Sequence, residues 1–578
     1  MFEPVDREAE RELFDRIDPD EMARHLDAFE GLERVSGTEA EWEASEYIVE
    51  TLEEYGLDAS MNAFDGYVSV PESATVEVTS PSPRTFEEAI TVSFGASTPR
   101  GGVSGELVSF DDLGGDPDDL PDLTGKVLFV EGLSAPHLAV AATEANAEAL
   151  IFASPDDHVH EGIVSPVWGT PDTESVDDLP DVPVASLPGE AGEWVADRFA
   201  HGTVEVSVET SVRTEVMELP NPVGKLEGAE SDRYFVVGNH VDSWYEGITD
   251  NATAMATTLE VARIMAEEEP KRGLVVGFWT AHSTGRYTGS TRYVDDNWLD
   301  LRANGVAYLH IDLVGLDGAD ALWFQHMAEL GAEHRDAMET ATDFEVGVGG
   351  DSFLGAAGRP ARNSDQSFWG TGLSSLLSGA RFEPGTERGG PVGGGWWWHT
   401  PDDTRDKVDM DVLAEETKLY VALASRICNS PALPHDYRAV VDDFEEMFDD
   451  VEEAAGEDLG FDAARADLDS LDAALESAYE IAGGAGDDPA LATAVEDLQV
   501  DLGNTLTPAL YTSGPDTEQE PATPYARLPA LRAAADLSEQ EGAKKLFAET
   551  ETRRGLNRVR HRIQDATERT ERFTENWG

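Results

Sequence analysis

The chain has 578 residues, with 40 Lys and Arg against 117 Asp and Glu, so its formal charge is −77 at pH 7. A small soluble domain carries a net charge of about 2–8 in magnitude, and a coat this acidic repels nucleic acids and anionic membranes, which argues against either as a partner. Twelve Trp, 22 Phe and a hydrophobic fraction of 40% nevertheless supply material for cores that a disordered acidic chain lacks.

Two to four domains are expected, because a single core rarely grows beyond about 250–300 residues. Cys428 is the one cysteine, which excludes an intrachain disulfide and cysteine-cluster zinc sites. The sequence carries neither a basic start followed by an apolar stretch nor a run of about 18 apolar residues, and the expectation is a cytoplasmic protein.

In chain order, Asp18-Pro19-Asp20 signals a helix start. Ser36-Gly37-Thr38 breaks the pattern, and Trp42, Ala44, Tyr47, Ile48, Leu52 and Tyr55 form a second helical stripe that ends at Gly56. Residues 1–65 are read as the opening part of a larger domain. From 66 to 212 short apolar or alternating runs such as Lys126–Val130 and Ala149–Phe152 lie between Gly, Pro and Asp clusters, which predicts a mostly β domain with one helix near 137–147. Residues 213–430 alternate strands (234–237, 274–278, 307–311) with helices, notably 251–268, as a largely parallel sheet flanked by helices requires. The remainder, 431–578, is rich in Ala, Glu, Asp and Leu at helical spacing and predicts a helical domain.

Four segments carry chemistry. His240 and Asp242 follow an apolar strand in Gly238-Asn239-His240-Val241-Asp242-Ser243-Trp244, and Asp250-Asn251 opens the helix after it. Both would sit above the carboxyl ends of a parallel sheet, where open α/β folds bind ligands, with Asp242 placed to accept the second imidazole proton of His240. His310-Ile311-Asp312 ends another strand, and Trp398-His399-Thr400-Pro401-Asp402-Asp403 sets a histidine just before a helix start. Taken singly, such histidines are more often solvated or core residues than ligands, and His310 and His326 keep that reading.

The ordered set His240, Asp250-Asn251, Asp312 and His399-Thr400-Pro401 resembles the co-catalytic zinc exopeptidases of metallopeptidase family 28, the aminopeptidase, glutamate carboxypeptidase and transferrin receptor group. The resemblance covers nearly the whole chain, and it implies a peptidase domain split by a protease-associated β domain and followed by a helical, dimerising domain. It also implies His240, Asp250 and Asp312 as ligands of one zinc, Asp250 and His399 as ligands of a second, and Asp242 as the group that orients His240. Imidazole and carboxylate are the donors that open catalytic zinc sites use. The acidic coat, with Arg favoured over Lys, resembles that of halophilic archaeal proteins, whose crowded carboxylates repel one another unless salt screens them.

One motif departs from the family pattern. After the strand at 274–279 the family places a Glu-Glu pair, a general base and a ligand of the second zinc, whereas here the segment reads Trp279-Thr280-Ala281-His282-Ser283-Thr284-Gly285-Arg286-Tyr287. His282 aligns with the base and Ser283 with the lost ligand. His282 can serve as a base near neutral pH, or as a replacement ligand, or the site can be degenerate and the chain a binding or scaffold protein. An amidohydrolase of a small non-peptide amide is a further reading.

Around this core, Arg286 and Tyr287 are candidates for a substrate carboxylate, with a structural ion pair as the alternative for the arginine. Asp365, in Asn363-Ser364-Asp365-Gln366-Ser367-Phe368, resembles a family segment near the substrate pocket. Trp396-Trp397-Trp398 reads as packing beneath His399, and the glycines between 389 and 395 as a flexible loop or an active-site hinge. The arginines between 553 and 572 are expected to dock the last helix on an acidic face.

Overall fold

The computed structural model describes residues 7–199, 202–347, 363–382, 386–456, 459–522, 528–535, 537–538 and 540–578. It contains two eight-stranded sheets and a helical C-terminal region. The first sheet runs Asp58–Ser60, Val223–Leu226, Gly273–Trp279, Tyr234–His240, Gly305–His310, Ser374–Arg381, Ala321–His326, Glu345–Val346. Its four central strands, from Gly273–Trp279 to Ser374–Arg381, are parallel, and antiparallel pairs flank them. The parallel strands are almost wholly buried, which is why they read in the sequence as unbroken apolar runs rather than alternating ones.

One face of this sheet packs beneath Thr253–Glu267, Met410–Asn429 and the two N-terminal helices Pro19–Phe29 and Glu39–Glu54. Met22, Leu26, Phe29, Ile48, Leu52, Met255, Leu259, Leu423 and Ile427 meet Phe235, Val237 and Leu309 there. Each such side chain contributes about 1.5–3 kcal/mol on leaving water. The Asp18 carboxylate accepts from the main-chain N–H groups of Asp20 and Glu21, the cap that its sequence signal announced. The opposite face is covered by Thr288–Asn304, with Trp279, Tyr293, Leu301, Tyr308 and Phe368 in contact.

The second sheet lies between Phe64 and Leu219. Its two long strands, Phe64–Ser80 and Val204–Leu219, pair antiparallel from Phe64 opposite Leu219 to Ser80 opposite Glu205, so this unit is anchored as one continuous ribbon. It holds two helices, Pro136–Glu144 and Gly189–Phe199, where the sequence predicted one. The second buries Ala191, Gly192 and Val195 and packs Trp194, Ala196 and Phe199 against the same core, but Gly189 and Gly192 in its sequence read as loop punctuation. In the helical region, Arg438–Ala455, Asp462–Ala482, Pro489–Tyr511 and Gly542–Trp577 enclose a separate core. Among the described residues no helix is long and apolar enough to cross a membrane.

Trp279 ends its strand beneath the candidate centre and donates its indole N–H to the Tyr308 hydroxyl at 2.9 Å. Gly238 makes room for that pair: a β-carbon there would lie 2.4 Å from Trp279 Nε1 and 2.5 Å from Tyr308 Oη. Gly238→Ala should therefore lower stability by about 1–3 kcal/mol through overpacking, read as a shift in the denaturant midpoint at constant salt.

Candidate metal centre

Three strand ends and one helix start converge. His240 and Trp279 lie side by side at the carboxyl ends of neighbouring parallel strands, and His310 pairs with Gly238 on the other side. The loops that leave these strands carry Asp242, His282 and Asp312, while Asp250 precedes the helix Thr253–Glu267. His399 arrives from a loop far along the chain.

His240 is buried, and its Nδ1–H donates to the main-chain carbonyl of Asp242 at 2.8 Å. That bond sets the tautomer and leaves Nε2 facing Asp250 Oδ1 at 3.0 Å and Asp312 Oδ1 at 3.7 Å. The Asp242 carboxylate, which the sequence reading aimed at His240, lies 3.8 Å from Nδ1. It accepts instead from the Ser36 hydroxyl and the main-chain N–H groups of His282 and Ser283, at 2.9, 3.0 and 2.9 Å. Asp242 thus does both tasks with different atoms: its carbonyl orients His240, and its carboxylate holds the 282–283 turn. Arg34 fixes the intervening loop from beneath, donating to the carbonyls of Val241, Glu246 and Gly247 at 2.9, 2.7 and 3.0 Å.

The two oxygens of Asp250 divide between two histidines, with Oδ1 toward His240 and Oδ2 3.1 Å from His399 Nε2. Burial acts to raise the Asp250 pKa, but the two imidazoles hold it below the ordinary carboxylate value. Burial likewise opposes charge on His240, and Asp250 and Asp312 outweigh it and hold that pKa well above the ordinary value. Asp312 Oδ1 is buried and has no hydrogen-bond partner among the described residues, whereas Oδ2 accepts from Asn363 Nδ2 at 3.1 Å and lies 3.4 Å from His310 Nε2. An orphaned buried carboxylate oxygen beside two imidazoles is a set that a divalent cation satisfies and that is costly without one.

His282 lies over His240, ring centres 4.0 Å apart and planes 18° from parallel. The donor atoms of His240, His282 and Asp312 fall within 4.8 Å of one another. Rings stacked this closely cannot both point an in-plane lone pair at one ion, so in this rotamer His282 is a neighbour of the His240 ligand position rather than a co-ligand. Burial, then the nearby His240, hold the His282 pKa well below the ordinary value, so the ring is neutral near pH 7. Its Nδ1 is 3.4 Å from Ser364 Oγ, and the Tyr287 ring meets it edge-on at 4.3 Å. Among the described residues the donors close enough for a three-ligand group are His240, His282 and Asp312, and neither Asp250 nor His399 falls in such a group.

Tyr287 also stacks on Trp168 of the second sheet unit at 3.9 Å. Arg286 sits over both rings, and its guanidinium forms no ion pair or hydrogen bond among the described residues, unlike the paired or carbonyl-bound Arg34, Arg272 and Arg426. Asp365 is buried, and burial pushes its pKa up to about 8. Its neighbours Asn363 and Ser364 are the ones that reach Asp312 and His282. Trp397 packs beneath the centre with its N–H on Thr249 Oγ1 at 3.0 Å, and the glycine-rich stretch closes as a turn, Gly390 N–H to Gly394 O at 2.7 Å.

Sequence reasoning left His310 as a core residue, yet it stands against Asp312. It also passed over Asp403, whose Oδ1 accepts from the Thr249 N–H and hydroxyl at 2.9 and 2.8 Å while Oδ2 accepts from the Asp250 N–H at 3.0 Å. The signal was its place four residues after His399, which reads equally as a helix-start acid.

The model of peptidase family M28 matches residues 221–424. Aminopeptidase NAALADL1 of Mus musculus is 33% identical over 116 residues, 19% of this chain and 15% of its own length. Probable glutamate carboxypeptidase VP8 of Zea mays is 25% identical over 355 residues, half of each chain. The chain spans about half or less of the length of these curated relatives. Among solved structures, the aminopeptidase from Aneurinibacillus sp. strain AM-1 superposes with a TM-score of 0.55 at 20% identity, over 73% of this chain and 96% of that one. BSAP, a zinc aminopeptidase from Bacillus subtilis, superposes with a TM-score of 0.51 at 19% identity, over 70% and 94%. The mixed α/β fold is theirs, and the segment that carries the centre matches the peptidase family M28 model and is similar in sequence to an aminopeptidase and a probable glutamate carboxypeptidase.

Asp403 holds the Thr249–Asp250 backbone with one oxygen accepting from each residue, so Asp403→Asn, which turns one acceptor into a donor facing an N–H, should weaken zinc about 10–100-fold. Competition with a chromophoric chelator reads that change directly.

Proposed function

We propose that this chain is a zinc-dependent hydrolase of peptide or other amide bonds, exopeptidase-like in kind, working at the centre formed by His240, Asp250, Asp312 and His399. The observation that carries the reading is Asp250, one buried carboxylate whose two oxygens face two histidines, beside an unpartnered Asp312 oxygen. M28 homology over residues 221–424 supports it. When bound, zinc polarises a substrate carbonyl and lowers the pKa of water, and two ions can share that task.

The chain's own residues do the rest. His240, Asp312 and Asp250 would hold one ion and Asp250 with His399 a second, and with one donor fewer there we infer a tighter first ion and a weaker second. His282, neutral at pH 7 and stacked beside the first position, takes the proton from the attacking water and passes it to the leaving amine. Ser364 orients its Nδ1, and Asp242 fixes its backbone. Trp168, Tyr287 and Arg286 wall the same flank, and we infer that the free guanidinium faces the substrate there.

His282→Ala should lower kcat about 10²–10⁴-fold with zinc content unchanged, measured by elemental analysis beside peptide turnover. Loss of one zinc in that variant would make His282 a ligand instead, and absence of zinc in the wild type would turn the reading to a silent scaffold. Asp250→Ala should lose bound zinc altogether, since both positions use it. Retained full zinc content there would sink the site assignment.

We further infer a salt-requiring homodimer formed through the helical region, whose last helix exposes Leu546 and Phe547 beneath a −77 charge that salt must screen. Sedimentation across a KCl series should show a dimer that is lost, and then unfolding, as salt falls. A monomer at every salt concentration would refute the assembly.

A further inference from the structure

The loop from Asp156 to Glu161 belongs to the second sheet unit and follows its buried strand Ala149–Ala153, yet it is fastened to the loop that carries His399. Glu161 N–H donates to the His399 carbonyl at 3.0 Å, and His399 Nδ1–H donates back to the Glu161 carbonyl at 2.7 Å. One residue earlier, His160 Nδ1 meets the Trp398 carbonyl at 2.5 Å, while its Nε2 lies 3.1 and 3.2 Å from the two Asp156 oxygens. His158 stacks on Trp396 with ring centres 4.5 Å apart. Tyr245, from the loop after His240, donates to Glu161 Oε1 at 2.9 Å and ties the clamp to the other side of the centre.

What the clamp holds is a residue that would not hold itself. His399 has a left-handed backbone, φ +55°, which a side chain with a β-carbon disfavours and which persists only where surrounding contacts impose it. Its Nε2 is presented to Asp250 because Nδ1 carries the proton given to Glu161, so the tautomer too is set from outside the peptidase-like sheet. Only two donors face this position, so their placement leaves little slack.

We propose that Asp156 and His160 are positioning residues for the His399 half of the metal centre, so that occupancy of the weaker zinc position depends on docking of the second sheet unit. Asp156 fixes the His160 ring, His160 fixes the Trp398 carbonyl, and the adjacent Glu161 main chain then meets His399 in register. The proposal rests on the zinc reading above, and its prediction is selective: loosening the clamp weakens one ion and spares the other.

The test uses the full-length protein, wild type, His160→Ala, His160→Asn and Asp156→Ala, with zinc titrated against a chelator and hydrogen exchange followed over residues 396–403 in metal-free protein. His160→Ala should weaken the second zinc about 10–100-fold, leave the first unchanged and speed exchange in 396–403. Asp156→Ala should do the same to a smaller extent. His160→Asn keeps a donor for the Trp398 carbonyl and should restore both readouts. Unchanged second-zinc affinity in His160→Ala overturns the proposal, and so does equal weakening of both ions, which would mark His160 as a general support of the fold. If the wild type binds no second zinc, the two-position reading fails separately and the exchange arm decides the clamp by itself. Faster exchange in His160→Ala that His160→Asn reverses sustains it, and identical exchange ends it.

Discussion

The centre depends on a single buried carboxylate. Asp250 lies between His240 and His399, one oxygen to each, and its backbone N–H is held in turn by Asp403. Desolvating Asp250, Asp312 and Asp403 together in one place is costly unless positive charge is present. Burial raises the Asp403 pKa to about 7, whereas the imidazoles keep Asp250 and Asp312 ionised. The fold accepts this concentration of acid because the strand ends, the Arg34 guanidinium and the donor groups around Asp242 and Asp403 place a partner against nearly every oxygen. The Asp312 oxygen left over defines where a cation belongs.

His282 lies as a neutral ring stacked on His240. The two sides of Asp250 differ in character: His240 sits at a strand end within the sheet, whereas His399 comes from a loop with an unfavourable backbone conformation. Support for that second side comes from the second sheet unit through main-chain hydrogen bonds. The sheet of the 213–430 segment thus carries the centre, and the attached unit braces the loop that brings His399 to it.

Charge is distributed on the same principle. With 40 basic residues against 117 acidic ones, the interior arginines serve as structural hubs: Arg34 under the 241–247 loop, Arg272 against Glu496 of the helical region at 2.6 Å, and Arg426 against Glu10 at 2.5 Å. The arginine-rich last helix follows this rule, with Arg560 on Asp467 and Arg562 on Asp516 at 2.7 and 2.6 Å within the same chain. Arg286 differs from these hubs: among the described residues its guanidinium has aromatic neighbours and no anion.

Much of this was legible in one dimension. Apolar runs buried on both faces announced the parallel sheet, Asp18-Pro19-Asp20 announced a helix cap, and the order His240, Asp250, Asp312, His399 announced donors at strand and helix ends, since chemistry at a strand end leaves a local mark. The Gly189–Phe199 helix was missed because Gly189 and Gly192 read as loop punctuation. Asp403 and His310 were passed over because their roles lie in contacts with Asp250 and Asp312, not in any pattern of their own. The sequence by itself determined the fold class, written in local periodicity, and singled out His240, Asp250, Asp312 and His399 as candidate donors by residue type and order. Tertiary structure alone decided which oxygen of Asp242 serves which neighbour, that His282 stacks on His240, and that His399 is held by a loop more than two hundred residues before it (a spacing of 238 from Glu161). Those relations are set by packing between distant segments, and no local pattern encodes them.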